Sequence, residues 1–182
     1  MLWGGLHGGL EIRQEGELCR VAGRFPYETQ TELAPGYHET IARGAFASRV
    51  NSGEDVHFLA GHDFEKPLAS RKAGTLRIRD GDDALTFEAE ISANTSWARD
   101  FLAAHGAGLV RGLSPGFRVE RDGERVTRLG DTVHRTITEA SLVEISAVTR
   151  AAYPTAQIEA RNWSADIPTV RASMPARQRW RA

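Results

Sequence analysis

The chain has 182 residues, 41% of them apolar and 26% charged, with 23 basic against 24 acidic side chains and a single cysteine. That length suits one compact domain. The lone Cys19 has no partner for an internal disulfide and no cysteine cluster for zinc, and a net charge of −1 lacks the global signature of a nucleic-acid binder.

The opening MLWGGLHGGLEIRQ lacks a basic stretch followed by an apolar run, so it does not read as a signal peptide. No apolar run approaches the ~20 residues that span a bilayer. The expectation is a soluble, cytoplasmic chain with neither a membrane nor a nucleic-acid partner. A strand is predicted over 18–25 and a short helix over 39–49, weakened by Gly44. Another strand follows over 56–60. The clearest period of two lies in ALTFEAEIS, residues 84–92, where Leu85, Phe87, Ala89 and Ile91 alternate with polar side chains. With TLRIR at 75–79 and an Asp/Gly cluster at 80–83 between them, the two runs predict a hairpin. Residues 94–105, NTSWARDFLAAH, space Trp97, Phe101, Leu102 and His105 as a helix does, begin on capping residues and run into Gly106. Strands are predicted over 116–121 and along one long run, 132–149. The fold class expected is α+β, a mainly antiparallel β barrel with a few flanking helices.

Charge divides the chain unevenly. Residues 1–150 hold 18 basic and 22 acidic side chains, net −4, whereas residues 151–182 hold five arginines against Glu159 and Asp166, net +3. The last stretch has no clear period. A body over 1–158 and a basic, flexible tail over 159–182 are therefore expected.

Three places could carry chemistry. His62 follows Gly61 at the end of an apolar strand, where a rigid scaffold could present a general base, although a lone histidine is more often an ordinary loop residue. Ser114 lies in Gly112-Leu113-Ser114-Pro115-Gly116-Phe117, a small hydroxyl between glycines. The letters match G-x-S-x-G, but the following FRVER reads as strand rather than helix, and a plain Ser-Pro-Gly turn is the bland alternative. Glu144 lies within SLVEISAV, where strict alternation puts Val143, Ile145 and Ala147 on one face and Leu142, Glu144, Ser146 and Val148 on the other. A carboxylate in so apolar a strand needs a partner, unless the strand is an edge with Glu144 in solvent. Together these residues could form a Ser-His-acid triad on a β scaffold. The metal alternative, His57 with His62 and Asp63, fits poorly: five residues apart on a strand, the two histidines face opposite ways.

The motifs ARGAF at 42–46, GHD at 61–63, GTL at 74–76, GLSPGF at 112–117 and LVEISAVTRAAYPTA at 142–156 resemble, in order and spacing, the prohead maturation proteases of tailed bacteriophages, over residues 10–158. That family is similar in fold to the herpesvirus assemblin proteases. The resemblance implies a serine endopeptidase inside the assembling prohead, in the host cytoplasm. It would cut scaffold or the N-terminal scaffolding region of the major capsid protein, and itself, with no metal or organic cofactor. By position, Ser114 is the nucleophile and His62 the general base. Glu144 is the acid, with Glu139 as runner-up and His134 as a third candidate, since the herpesvirus relatives use a second histidine. Dimerisation follows by the same analogy.

Two departures from the family pattern bear on mechanism. Pro115 stands where a branched apolar residue is usual, and it has no N–H to offer an oxyanion. The resemblance then points to Arg150 and Ala151 as the oxyanion-stabilising pair. A PAN motif usual after that loop is replaced by Ala151, Ala152 and Tyr153. The alternative function is a catalytically inactive capsid-assembly or scaffold-binding protein of the same fold, for which Pro115 is the best argument.

Overall fold

The computed structural model describes the backbone of residues 9–15 and the full residues 18–149. The predicted tail, Arg150 and Ala151 lie outside the described residues. In chain order the elements are β1 (Gly9–Glu15), β2 (Leu18–Pro26), β3 (Thr31–Ala34), β4 (Tyr37–Ile41), α1 (Ala47–Ser52), β5 (His57–Ala60) and β6 (Asp63–Ser70). They continue with β7 (Leu76–Asp80), β8 (Ala84–Ser92), α2 (Ser96–Gly106), β9 (Gly112–Val119), β10 (Glu124–Leu129), β11 (Thr132–Ile137) and β12 (Ala140–Val148).

The fold is α+β and mostly strand, but the expected closed barrel is corrected. Among the described residues the strands form three four-stranded sheets, ordered β1-β2-β8-β7, β10-β11-β4-β3 and β6-β5-β12-β9. Each hydrogen-bond ladder stops at an edge strand instead of returning on itself. Two neighbour pairs, β11 with β4 and β12 with β5, are parallel. Such pairs need long crossovers, and here the intervening chain supplies the other sheets.

The predicted hairpin is present, with β7 antiparallel to β8, and its alternation buries Leu85, Phe87, Ala89 and Ile91. That face packs against the sheet containing β5, β9 and β12. Phe58 on β5 meets Phe87 at 5.0 Å between ring centroids and meets Phe101 of α2 edge-on at 6.0 Å. Phe46 lies against Phe117 of β9 at 5.5 Å. One apolar cluster therefore joins the hairpin, both helices and the back of the third sheet. Burying such aromatic side chains is the main favourable term in holding that sheet in place.

Helix α2 begins as predicted. The Thr95 hydroxyl accepts a hydrogen bond from the Ala98 N–H at 3.3 Å, and Ala98 and Phe101 are buried. The helix predicted over 39–49 is corrected. Residues 37–41 form β4, because Tyr37, Glu39 and Ile41 alternate into the interior between β11 and β3. Gly44, at a left-handed φ of 71°, separates that strand from the short α1. The long run predicted over 132–149 is divided between β11 and β12, which belong to different sheets.

Candidate active site

The site is built on one face of the β6-β5-β12-β9 sheet. Residues directly opposite in an antiparallel ladder share a face. Ser146 of β12 lies opposite Ser114 of β9, and Glu144 lies opposite Gly116. All four residues therefore face the same way. Between Leu142 and Glu144 the register shifts. That bulge corrects the strict alternation predicted for this strand: Leu142 pairs with Phe117 and turns into the core beside Ile145 and Ala147, leaving Glu144 and Ser146 together on the other face. The Arg49 side chain donates to the Leu142 carbonyl at 3.2 Å, fastening the bulge to α1.

Histidine 62 arrives from the neighbouring hairpin. Ala60 of β5 pairs with Asp63 of β6, and the two residues between them, Gly61 and His62, have φ of 67° and 62°. Positive φ at both central positions is the requirement of a type I′ turn. Glycine meets it at no steric cost, whereas a histidine there costs roughly 1–2 kcal/mol. The turn is fastened to β12 by two hydrogen bonds. Gly61 N–H donates to the Ala147 carbonyl at 3.0 Å, and His62 N–H donates to Ser146 Oγ at 3.0 Å.

The imidazole meets the acid there. His62 Nδ1 lies 2.6 Å from Glu144 Oε1, with the two side chains 7% and 0% exposed. A carboxylate accepts and does not donate, so Nδ1 carries the proton and Nε2 is the basic nitrogen. Ser146 Oγ donates to the other carboxylate oxygen, Glu144 Oε2, at 2.6 Å. Its single proton is thereby committed. Ser114 Oγ, also buried, makes no hydrogen bond among the described residues. Of the two facing serines, Ser114 has the uncommitted hydroxyl, which is the condition a nucleophile needs.

Gly116 makes room for the acid. A Cβ at that position would stand 2.0 Å from Glu144 Oε1 and 2.7 Å from its Cδ. Any larger residue would occupy the space of the carboxylate that holds His62. The GLSPG segment is accordingly neither a turn nor an entry to a strand starting at 116, as the sequence suggests, but the beginning of β9 itself. Pro115 is accommodated because β9 is an edge of its sheet among the described residues, where a missing N–H need not break a ladder.

The other candidates fall elsewhere. His134 of β11 stacks on His38 of β4, with centroids 5.1 Å apart, in a different sheet. Glu139 is exposed between β11 and β12. His57 lies on β5 with Nε2 3.7 Å from Asp55 Oδ2 and its ring edge-on to Phe64. Asp63 is paired with Lys66 at 3.0 Å. Its carboxyl is held below the ordinary value, first by the Glu65 N–H it accepts and then by Lys66. Cys19 is free and buried in β2. Two contributors escaped the sequence reading. The i, i+2 spacing of Glu144 and Ser146 was the available signal for one; Gly116, two residues after Ser114, was the signal for the other.

A hydroxyl, an imidazole and a carboxylate carried by three different strands and turns on one sheet face suit acyl transfer through a serine. The chain belongs to the caudovirus prohead serine proteases, whose family model matches residues 17–168. It is accordingly a serine peptidase of phage head maturation, a class acting inside the procapsid in the host cytoplasm. No curated protein and no solved structure matches the chain, and the expected likeness to herpesvirus assemblin thus has no structural match behind it. Among the described residues no helix is long and apolar enough to cross a membrane.

Proposed function

We propose that the protein is an endopeptidase that cleaves scaffold or the N-terminal scaffolding region of the major capsid protein, and itself, with Ser114 as nucleophile, His62 as general base and Glu144 as the acid that orients it. The observation carrying this reading is the 2.6 Å contact of His62 Nδ1 with Glu144 on the sheet face that also bears Ser114.

Under this reading His62 Nε2 takes the proton of Ser114 as its oxygen attacks the scissile carbonyl, and returns it to the leaving amine. Glu144 keeps the proton on Nδ1 and stabilises the imidazolium as it forms. Water then attacks the acyl-enzyme with the same base. The negative oxygen of each tetrahedral intermediate needs donors, one of which is worth about 10² to 10³ in rate. Pro115 has no N–H, so the proposal assigns this task to the segment at Arg150 and Ala151. The reaction consumes no cofactor. The homodimer expected from the sequence resemblance remains part of the proposal.

Co-expression with the cognate capsid protein, read by intact mass, tests the assignment. Trimming by the wild type and none by Ser114→Ala is the expected result; equal trimming by both overturns Ser114 as nucleophile. Trimming by neither favours the second reading, an inactive capsid-assembly or scaffold-binding protein, to which the complete burial of Ser114 lends support. Arg150→Ala should slow single-turnover cleavage about 10²-fold or more; an unchanged rate removes it from the oxyanion site.

A further inference from the structure

We propose that Ser146 is a positioning residue of the peptidase, holding both the carboxylate and the backbone of the base in the geometry the reaction uses; this rests on the assignment of Ser114, His62 and Glu144 above. Its hydroxyl is fully buried and does two things at once. It donates to Glu144 Oε2 at 2.6 Å and accepts the His62 N–H at 3.0 Å. The first bond fixes the carboxylate plane, so that Oε1 is the oxygen aimed at Nδ1. The second helps hold His62 in its left-handed conformation, which is strained for a residue that bears a Cβ. Acid and base are thus locked by one atom, which lies opposite the nucleophile in the ladder. Because its proton is already given to Glu144, Ser146 cannot itself be the group that His62 activates.

A structural hydroxyl and a positioning hydroxyl differ in what their removal does when Glu144 is already disabled. The full-length chain would be treated with a fluorophosphonate probe. Modification of Ser114 would be followed by mass, giving the maximal rate and the half-saturating probe concentration for wild type, Ser146→Ala, Glu144→Gln and the double variant. We expect Ser146→Ala to lower the maximal rate about 10- to 100-fold, the range for losing a hydrogen bond to a charged group, with half-saturation unchanged. In the Glu144→Gln background the same substitution should cost clearly less than in the wild type, because only the hold on the His62 N–H is then left to lose. Ser146→Cys, close in size but a weak donor, should lose rate as well, and decides the matter should the alanine variant not fold.

A Ser146 variant that labels within twofold of wild type overturns the proposal, as does an equal loss with and without Glu144. Wild-type protein that takes up no probe at Ser114 overturns the assignment of Ser114 as nucleophile and Ser146's role with it. Labelling of Ser114 with no response at position 146 defeats only the inference.

Discussion

Two carboxylates are buried among the described residues, and they are held in opposite ways. Glu39, on β4, is 5% exposed and faces Arg135 of β11 at 2.9 Å, with Glu124 of β10 on the far side of the guanidinium at 2.6 Å. Glu144 is wholly buried and is held by an imidazole and a hydroxyl. The partner of Glu39 is a permanent cation that takes no part in proton traffic at any working pH. The imidazole beside Glu144 is, in the proposed mechanism, the group that takes a proton and gives it back in each cycle. A guanidinium fixes an acid as a strut, whereas in the proposed mechanism an imidazole turns the same burial into a way of stabilising a charge that comes and goes during a reaction.

The largest effect that should separate the two is on rate. Glu144→Gln keeps the shape but favours the wrong tautomer of His62, and about a 10³- to 10⁴-fold loss in the maximal labelling rate of Ser114 is expected with the melting temperature little changed. Glu39→Gln should leave that rate within twofold; a loss comparable to that of Glu144→Gln would erase the distinction. Next comes stability. Arg135→Ala leaves Glu39 buried without its counter-charge and should cost about 3–5 kcal/mol in urea unfolding while sparing the rate per folded molecule.

A smaller effect should follow from Gly116→Ala. The new methyl would displace the Glu144 carboxylate, and a shift of about 1 Å at that point should cost roughly 10²-fold in labelling rate. A variant as active as wild type would show that the acid has slack. The smallest effect is on pH dependence. Burial pushes the Glu39 carboxyl above its ordinary value, and Arg135 opposes that without cancelling it. The folded state then binds a proton that the unfolded state has released, so stability rises as pH falls through the window between the unfolded value near 4.5 and the raised native one. In Arg135→Ala that window widens, and up to about 1.4 kcal/mol should be regained for each pH unit of acidification within it. Urea titrations at several pH values would read this; a deficit that does not shrink in acid contradicts the assignment.

Much of this was legible in the sequence, for physical reasons that also mark where legibility stopped. The β7–β8 hairpin declared itself because its alternation is enforced by a buried face, and α2 because its cap and its apolar spacing agree. β4 did not. YHETI has a glutamate at a buried position, and only the partner Arg135, 96 residues away, makes that strand intelligible. β10 has no buried face at all, its six residues being exposed, so no period marks it. Ser114, His62 and Glu144 stand out as residues that break their local pattern. The contributions of Gly116 and Ser146 depend on register: the bulge after Leu142 decides which residues of β12 face the site, and alternation alone cannot reveal it. The paired strands β5 and β12 are separated by some 80 residues of chain, and that contact has no local trace.

Pro115 has an effect on the chain before it folds. A residue that precedes proline is excluded by sterics from most of the helical region and pressed toward extended backbone, and Ser114 needs extended backbone as the third residue of β9. The unfolded chain therefore already restricts Ser114 to the part of conformational space it occupies when folded, and less entropy is lost when the strand orders. The ring that lacks an N–H thus favours the ordered strand through the denatured ensemble rather than through any contact in the folded protein.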